Sequence, residues 1–143
     1  MLANRTKAPG LGNSAFVRRL AREARQNGQL YLILLPAPEA EWAELPAEAH
    51  ESGRASHEQF HADLAAGGHE ILVAGPLEPS ADATSMRPDG SGGTLVTDGP
   101  FTESVEQIVG FYLIRSGDEA DLRALCERFS SRGELIEFRK MAE

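Results

Sequence analysis

The run "LYLILL", residues 30–35, constrains the fold more strongly than any other stretch of the chain. Its six apolar residues are too few for a buried helix, and Pro36 and Pro38 follow closely. A short unbroken apolar run bounded by prolines is typical of a strand that lies inside a sheet and is covered on both faces. The sequence therefore predicts a central strand here.

The residues before this strand predict one helix. In "NSAFVRRLAREARQNG", residues 13–28, Asn13 or Ser14 can cap the first turn, and Gly28 lies where a C-terminal glycine ends a helix. Residues 1–12 are rich in glycine and proline and predict a loose lead-in. We therefore expect residues 1–28 to form a helical extension, and residues 29–143 to form the domain. The helix has a narrow apolar stripe of Phe16, Val17, Leu20 and Ala24.

The residues after the strand alternate helices with strands. One helical pattern runs from Pro46 to about Ala66, and another begins at Asp118 and ends at Gly133. Strands are predicted in "EILVAGPL", "QIVGFYLIRS" and "ELIEFRK", and a hairpin with a glycine-rich tip in "DATSMRPDGSGGTLVTDG". This order predicts an α+β sandwich of the ferredoxin-like βαββαβ type. Its two helices cover one face of the sheet, so the other face needs the N-terminal helix or a second subunit.

The composition is that of a soluble protein of one domain. The chain has 143 residues, of which 41% are hydrophobic and 25% are charged. No apolar run approaches the roughly 20 residues of a membrane span, and residues 1–28 lack the apolar core of a signal peptide. The single cysteine, Cys126, has no partner for an intramolecular disulfide and lies on a helical apolar stripe. We therefore expect a cytoplasmic protein with no membrane partner.

Charge is distributed unevenly along the chain. The net charge of −8 argues against nucleic acid as a partner. Residues 1–28 nevertheless hold six basic residues against Glu23 alone, so a basic arm precedes an acidic domain. Such an arm can bind an acidic protein partner, or it can fold back onto its own domain.

The pattern "HEQFH", residues 57–61, is typical of zinc hydrolases, because it places two imidazoles on one helix face beside a glutamate. Catalytic zinc also needs a third ligand from a separate segment, and nothing in the sequence identifies one. We therefore expect no metal and no other cofactor. The alternative is a metal site at His57 and His61, joined by His50 if the helix continues through Gly53. Without a metal, His57 alone is the candidate general acid or base.

The segment "LVTDGPFTESVEQIVGFYLI", residues 95–114, resembles the DGPF domain family, a branch of the YCII-related proteins. That family is known by an Asp-Gly-Pro-Phe turn between a valine-rich strand and an acidic stretch, followed by a glycine-aromatic strand. The resemblance extends from Leu30 to about Met141 and includes "HEQFHADLAAGG" and "LIEFR". It implies a fold of the dimeric α+β barrel superfamily, in which two ferredoxin-like sheets pack together, and therefore a homodimer.

The resemblance also implies where chemistry takes place. In YCII-type relatives a histidine and an aspartate have been proposed as catalytic, and one relative is a dehydrochlorinase acting on a chlorinated hydroquinone. The family's helix histidine falls on His57, and its turn on residues 98–101. Two departures weaken the enzymatic inference: Val105 replaces a lysine that is common in the family, and "CERFSSRG", residues 126–133, lacks the aspartate of the wider group. DGPF genes often neighbour sigma-factor genes, which implies a regulatory link.

Three functions remain open from the sequence. The first is small-molecule chemistry in a cleft beside a histidine and acidic cluster. The second is a non-catalytic regulatory module that binds a ligand, and the third is a protein-interaction role, such as sigma-factor binding, through the basic arm. The candidate catalytic residues are His57, Asp98 and Glu103, and the candidate ligand-binding residues are Tyr112, Phe101, Glu106 and Arg87. Phe101 can be a buried anchor, and Glu103 and Glu106, three residues apart, can share a helical face, as a pair of functional carboxylates or as a solvated acidic surface.

Overall fold

The computed structural model describes residues 14–26 and 28–142, and no helix within these ranges is long and apolar enough to cross a membrane. A single 3-10 turn, Ser80–Asp82, precedes the hairpin in this part of the chain. The helices are α1 (Ala15–Ala24), α2 (Glu39–Ala43), α3 (Ala47–Ala66) and α4 (Glu119–Ser131). The strands are β1 (Gln29–Pro38), β2 (Glu70–Pro76), β3 (Thr84–Pro88), β4 (Thr94–Asp98), β5 (Glu106–Ser116) and β6 (Glu137–Lys140).

The main sheet has the ferredoxin-like order. Its strands lie in the sequence β2, β5, β1, β6, and each neighbouring pair is antiparallel. Strands β3 and β4 form a separate hairpin, inserted between the second and third strands of the main sheet. The α+β class, the ferredoxin-like type and the glycine-rich hairpin tip are therefore confirmed.

Helices α3 and α4 cover one face of this sheet. Alternate residues of β1 and β5 point toward them, because side chains alternate between the two faces of a strand. Cys126 is part of this core, as its place on the apolar stripe predicted. The core side chains are Tyr31, Ile33, Leu35, Phe60, Leu64, Tyr112, Ile114, Leu122, Leu125, Cys126 and Phe129.

The opposite face of the sheet is apolar and only partly covered. Its centre is built from two directly opposed pairs, Leu32 with Leu113 and Leu34 with Phe111, and all four side chains are half-buried. Leu30, which lies on the same face and pairs with Arg115, is buried, so the open part of the face is the part beyond it. The uncovered face expected from the helix count is therefore present in the described part of the chain.

A bulge distorts the sheet where β1 ends. Leu35 pairs with Gly110, but the next residue, Pro36, pairs with Ile108, so the register shifts by one residue. A Cβ atom at Gly110 would lie 3.1 Å from the backbone oxygen of Gly75 on β2. A glycine suits this position because a Cβ atom here would crowd the backbone of the neighbouring strand.

A buried polar cluster joins the other end of the sheet to α4. The ring of His69, at the start of β2, has Nε2 2.6 Å from Oδ2 of Asp121 and Nδ1 2.8 Å from Oγ of Ser116. Both His69 and Ser116 are buried. Asp118 caps α4 by accepting from the amide of Asp121. These contacts fix the first turn of α4 to the ends of β2 and β5.

Helix α1 lies against the domain only at its C-terminal end. Ser14 caps α1 by accepting from the amide of Val17, so one of the two predicted caps is used. The other predicted cap, at residue 13, and the predicted lead-in, residues 1–12, lie outside the described residues. The guanidinium of Arg115 on β5 donates to the carbonyl of Ala24 at 2.6 Å. In the apolar stripe of α1, Phe16 and Leu20 are exposed, whereas Val17 and Ala24 are half-buried.

Replacing Phe60 tests the core. Phe60 is fully buried, and its ring stacks on Phe129 with centroids 4.3 Å apart. We expect Phe60→Ala to lower the free energy of unfolding by about 3–5 kcal/mol, measured by urea denaturation. Phe101→Ala is the matched control: this phenylalanine is 66% exposed, and its loss should cost less than about 1 kcal/mol. Equal losses in the two variants would contradict the core described here.

Candidate functional site

The hydroxyl of Tyr112 lies between two histidines of α3. Its oxygen is 2.6 Å from Nδ1 of His57 and 2.7 Å from Nε2 of His61. Tyr112 projects from β5 toward α3, and the two histidines are four residues apart, so they share the helix face that meets the sheet. The sequence thus brings two imidazoles onto one buried phenol.

Glu134 completes this chain of contacts. Its Oε1 lies 3.1 Å from Nε2 of His57, and both side chains are largely buried. The turn after α4 sets this position: Gly133 takes a positive φ of 114°, and the hydroxyl of Ser130 donates to the carbonyl of Glu134 at 2.7 Å. Because α4 packs beside α3, the residue that follows this turn reaches across to His57.

Hydrogen-bond chemistry sets the direction of these contacts when both imidazoles are neutral. An ionised carboxylate only accepts, so His57 donates from Nε2 to Glu134 and must accept at Nδ1 from the Tyr112 hydroxyl. That hydroxyl has one proton, so its oxygen accepts from Nε2 of His61. We call this chain of four side chains, His61 to Tyr112 to His57 to Glu134, the relay.

Aromatic packing holds the relay in place. The ring of His57 meets Phe129 edge-on with centroids 4.9 Å apart, and Tyr112 meets Phe60 edge-on at 5.2 Å. Burial raises the pKa of Tyr112 to about 12, and the nearby charge of Glu134 acts in the same direction. Tyr112 therefore stays protonated near neutral pH.

His61 is the exposed end of the relay. Its pKa is lowered, first by partial burial and then by the proximity of His57, while Glu58 acts in the opposite direction. A lowered pKa keeps the imidazole neutral near pH 7 and able to accept a proton. No hydrogen-bond partner contacts Nδ1 of His61 among the described residues.

The relay gives "HEQFH" a role that needs no metal. The Tyr112 hydroxyl occupies the point on which the two histidine nitrogens converge. His50 lies elsewhere: its ring stacks on Trp42 with centroids 4.2 Å apart. The described ranges contain no group of three histidine, cysteine or carboxylate side chains placed to hold a metal ion.

The family match covers most of the chain. The model of the YCII-related domain matches residues 29–133, which include α3, β5 and α4. This chain belongs to the YCII-related family. The match contains three of the four relay residues, and Glu134 follows its last residue directly.

A relative of this YCII-related protein is known from Rhizobium meliloti (strain 1021). The two are 41% identical over 70 residues, which is 44% of this chain and 56% of the relative. The chain therefore spans less than two thirds of that relative's length. The relative is described only as an uncharacterised protein, so it adds no activity.

The remaining predicted site residues lie at the hairpin, away from the relay. Asp98 ends β4 and makes no hydrogen bond or ion pair with His57, and neither does Glu103. The carboxylate beside His57 is instead Glu134. Two local expectations were wrong: Phe101 is exposed rather than buried, and Glu103 lies in a loop while Glu106 begins β5, so no helix joins them.

Two clefts lie at the same end of the domain as the hairpin. One, of about 380 Å³, lies beside α2, and the other, of about 440 Å³, lies between the hairpin and β5. Phe101 lines the larger cleft, and the guanidinium of Arg87 lies 4.7 Å from its ring centre. Neither cleft is lined by a relay residue. The structure therefore divides the predicted site residues between the relay and the hairpin.

Sequence reasoning missed two members of the relay. Glu134 lies one residue beyond the segment 126–133, in which the family resemblance places the aspartate of the wider group. His61 was set aside with the zinc pattern, although its i, i+4 spacing from His57 was visible. The signal that could have found both is a tyrosine on the neighbouring predicted strand, because a buried hydroxyl needs hydrogen-bond partners.

Removing the Tyr112 hydroxyl tests the relay geometry. We expect Tyr112→Phe to keep the ring packing but to lower the free energy of unfolding by about 1 kcal/mol, because two histidine nitrogens lose their partner. Nitrogen chemical shifts of the His57 and His61 rings, measured by NMR, should both change. Tyr31→Phe is the control, since Tyr31 is also buried but makes no hydrogen bond to either histidine, and it should leave both rings unaffected.

The lowered pKa of His61 predicts a pH-dependent stability. The folded pKa lies below the ordinary value of 6.5, so the unfolded chain binds the proton more tightly. This contribution to stability is present above about pH 6.5 and is lost as the pH falls through that value. We expect His61→Gln to lose less stability than the wild type between about pH 7.5 and pH 5. Urea unfolding at both pH values measures this, and a steeper loss in the variant would contradict it.

Proposed function

We propose that this YCII-related protein performs acid–base chemistry on a small molecule that binds at His61. One observation supports the proposal above all: the Tyr112 hydroxyl is hydrogen-bonded to both histidines, at 2.6 and 2.7 Å, while Glu134 contacts the far nitrogen of His57. A chain of donors and acceptors that ends in a carboxylate at one side and a solvent-facing imidazole at the other is suited to proton transfer.

The proposed transfer balances without a cofactor. Nδ1 of His61 takes a proton from the ligand, and the proton on its Nε2 passes to the Tyr112 oxygen. The Tyr112 hydroxyl then gives its own proton to Nδ1 of His57. The ligand becomes an anion, and the positive charge lies on His57, where the carboxylate 3.1 Å away stabilises it.

This arrangement favours a ligand with a weakly acidic C–H or O–H group. A neutral imidazole with a lowered pKa is a modest base, so it suits carbon acids beside a carbonyl and phenols. Phe60 and Phe129 meet the Tyr112 ring edge-on, and the hydrogen bonds of its hydroxyl within the described residues are those to the two histidines. A proton that reaches Tyr112 from His61 can therefore pass on to His57.

Proton exchange at carbon tests the proposal directly. Acetylacetone and cyclohexanone would be incubated with the protein in deuterium oxide, and loss of their exchangeable C–H signals followed by proton NMR. We expect the wild type to accelerate exchange and His61→Gln to reduce that acceleration by about a hundredfold.

The matched control is His50→Gln, because His50 lies on the same helix but contacts Trp42 rather than the relay. It should exchange as fast as the wild type. Circular dichroism would establish that each variant is folded. Equal rates for the wild type and His61→Gln, with no ligand-induced shift in the His61 ring signals, would refute the proposal.

We further propose that the protein is a cytoplasmic homodimer of the DGPF branch. The apolar face around Leu32 and Leu113 supports a second copy as its cover, and the buried, unpaired Cys126 is compatible with a reducing compartment. The Asp98–Phe101 turn supports the DGPF assignment. The sedimentation coefficient of the full chain tests the dimer.

The second candidate function is an interaction role without chemistry, with a sigma factor as one partner that the family resemblance suggests. The observation that favours it is the solvent-exposed apolar stripe of α1. In this case α1 would contact an acidic protein surface, and the relay would serve only to fix α3 on the sheet.

A further inference from the structure

Helix α1 is amphipathic but has no partner surface within the described chain. Its apolar residues Phe16 and Leu20 are 59% and 46% exposed, and none of its residues is buried. The helix is also basic, since residues 14–26 contain four arginines and one glutamate. An amphipathic helix with an exposed apolar stripe is unstable alone, because most helical stability in proteins comes from packing that stripe.

An acidic apolar groove lies at the opposite end of the domain. The cleft of about 440 Å³ between the hairpin and β5 is lined by four exposed apolar side chains, Leu77, Met86, Phe101 and Ile108. Glu78 lines the groove, and the segment that supplies the lining residues, residues 77–108, contains six carboxylates and a single arginine. The groove therefore complements α1 in both polarity and charge.

The groove of the same chain is out of reach of α1. Arg115 binds the carbonyl of Ala24 and so holds the C-terminal end of α1 at the far end of β5. Seven residues of strand separate Arg115 from Ile108, a distance of roughly 24 Å. Phe16 lies only eight helical residues, or roughly 12 Å, from Ala24. A helix tethered in this way can fill the groove of another molecule only.

We infer that α1 of one chain docks into the groove of a second copy, with Phe16 and Leu20 against Met86 and Phe101. The arginines of α1 then face the carboxylates around the groove. In a two-fold symmetric pair each chain gives one helix and receives one, so both stripes are buried at once. This contact does not depend on the relay, and it adds to any pairing of the two open sheet faces.

Cross-linking between two different variants tests this exchange. One chain would carry Phe16→Cys and the other Met86→Cys, and the two would be mixed and oxidised under native conditions. The natural Cys126 stays in place, because it is buried and its pKa is raised to about 12. We expect a disulfide-linked species of twice the chain mass that contains one copy of each variant.

The matched control replaces Met86→Cys by Leu45→Cys. Leu45 lies between α2 and α3, outside the groove, and should yield little of the mixed product. As a second measurement, Leu20→Asp should weaken self-association by about tenfold or more, whereas Leu45→Asp should not. Leu20 and Leu45 are 46% and 44% exposed, so a difference in self-association between the two variants would reflect the position of the leucine and not its exposure.

Each result has a definite meaning. A mixed cross-link with a weakened Leu20→Asp variant supports the exchange. A dimer without the cross-link overturns it but leaves the proposed homodimer standing, and a monomeric full chain overturns both. Binding of the basic helix to a different acidic protein, with no self-association, also overturns it and supports the interaction role.

Discussion

The placement of α3 on the sheet depends on the buried hydroxyl of Tyr112. An unsatisfied hydroxyl in that position would cost about 1–3 kcal/mol. Only α3 supplies partners for it among the described elements, through His57 and His61, and this fixes the rotation of the helix on the sheet. Glu134 then orients His57, so the end of α4 is tied to the same point.

The fold could be predicted from the sequence because its signals are local. The apolar run that forms β1, the caps of the helices and the glycines of the hairpin each act over a few residues, and their order determines the topology. The relay joins side chains from three distant segments, so no spacing along the chain encodes it. His57 was found from a resemblance, whereas Glu134 required knowing that α4 ends beside α3.

The DGPF turn shows that a family motif can be present in a chain without its residues lying at the candidate site. Gly99 adopts the positive φ that such a turn needs, and its amide bonds the backbone of Ala83, so the turn is structural in this chain. Its phenylalanine is exposed, and its aspartate makes no hydrogen bond or ion pair with the histidines. The turn lies at the base of the hairpin, directly after β4, whereas the relay lies where α3 meets the sheet.

The cluster at His69 depends on a single hydroxyl. The Ser116 hydroxyl lies 2.8 Å from Nδ1 of His69 and 3.2 Å from the carbonyl of Asp118, and its oxygen accepts from the amide of Asp118 at 3.0 Å. One side chain near the end of β5 therefore serves both the start of β2 and the first turn of α4, and its loss would leave polar groups of both elements unpaired at once.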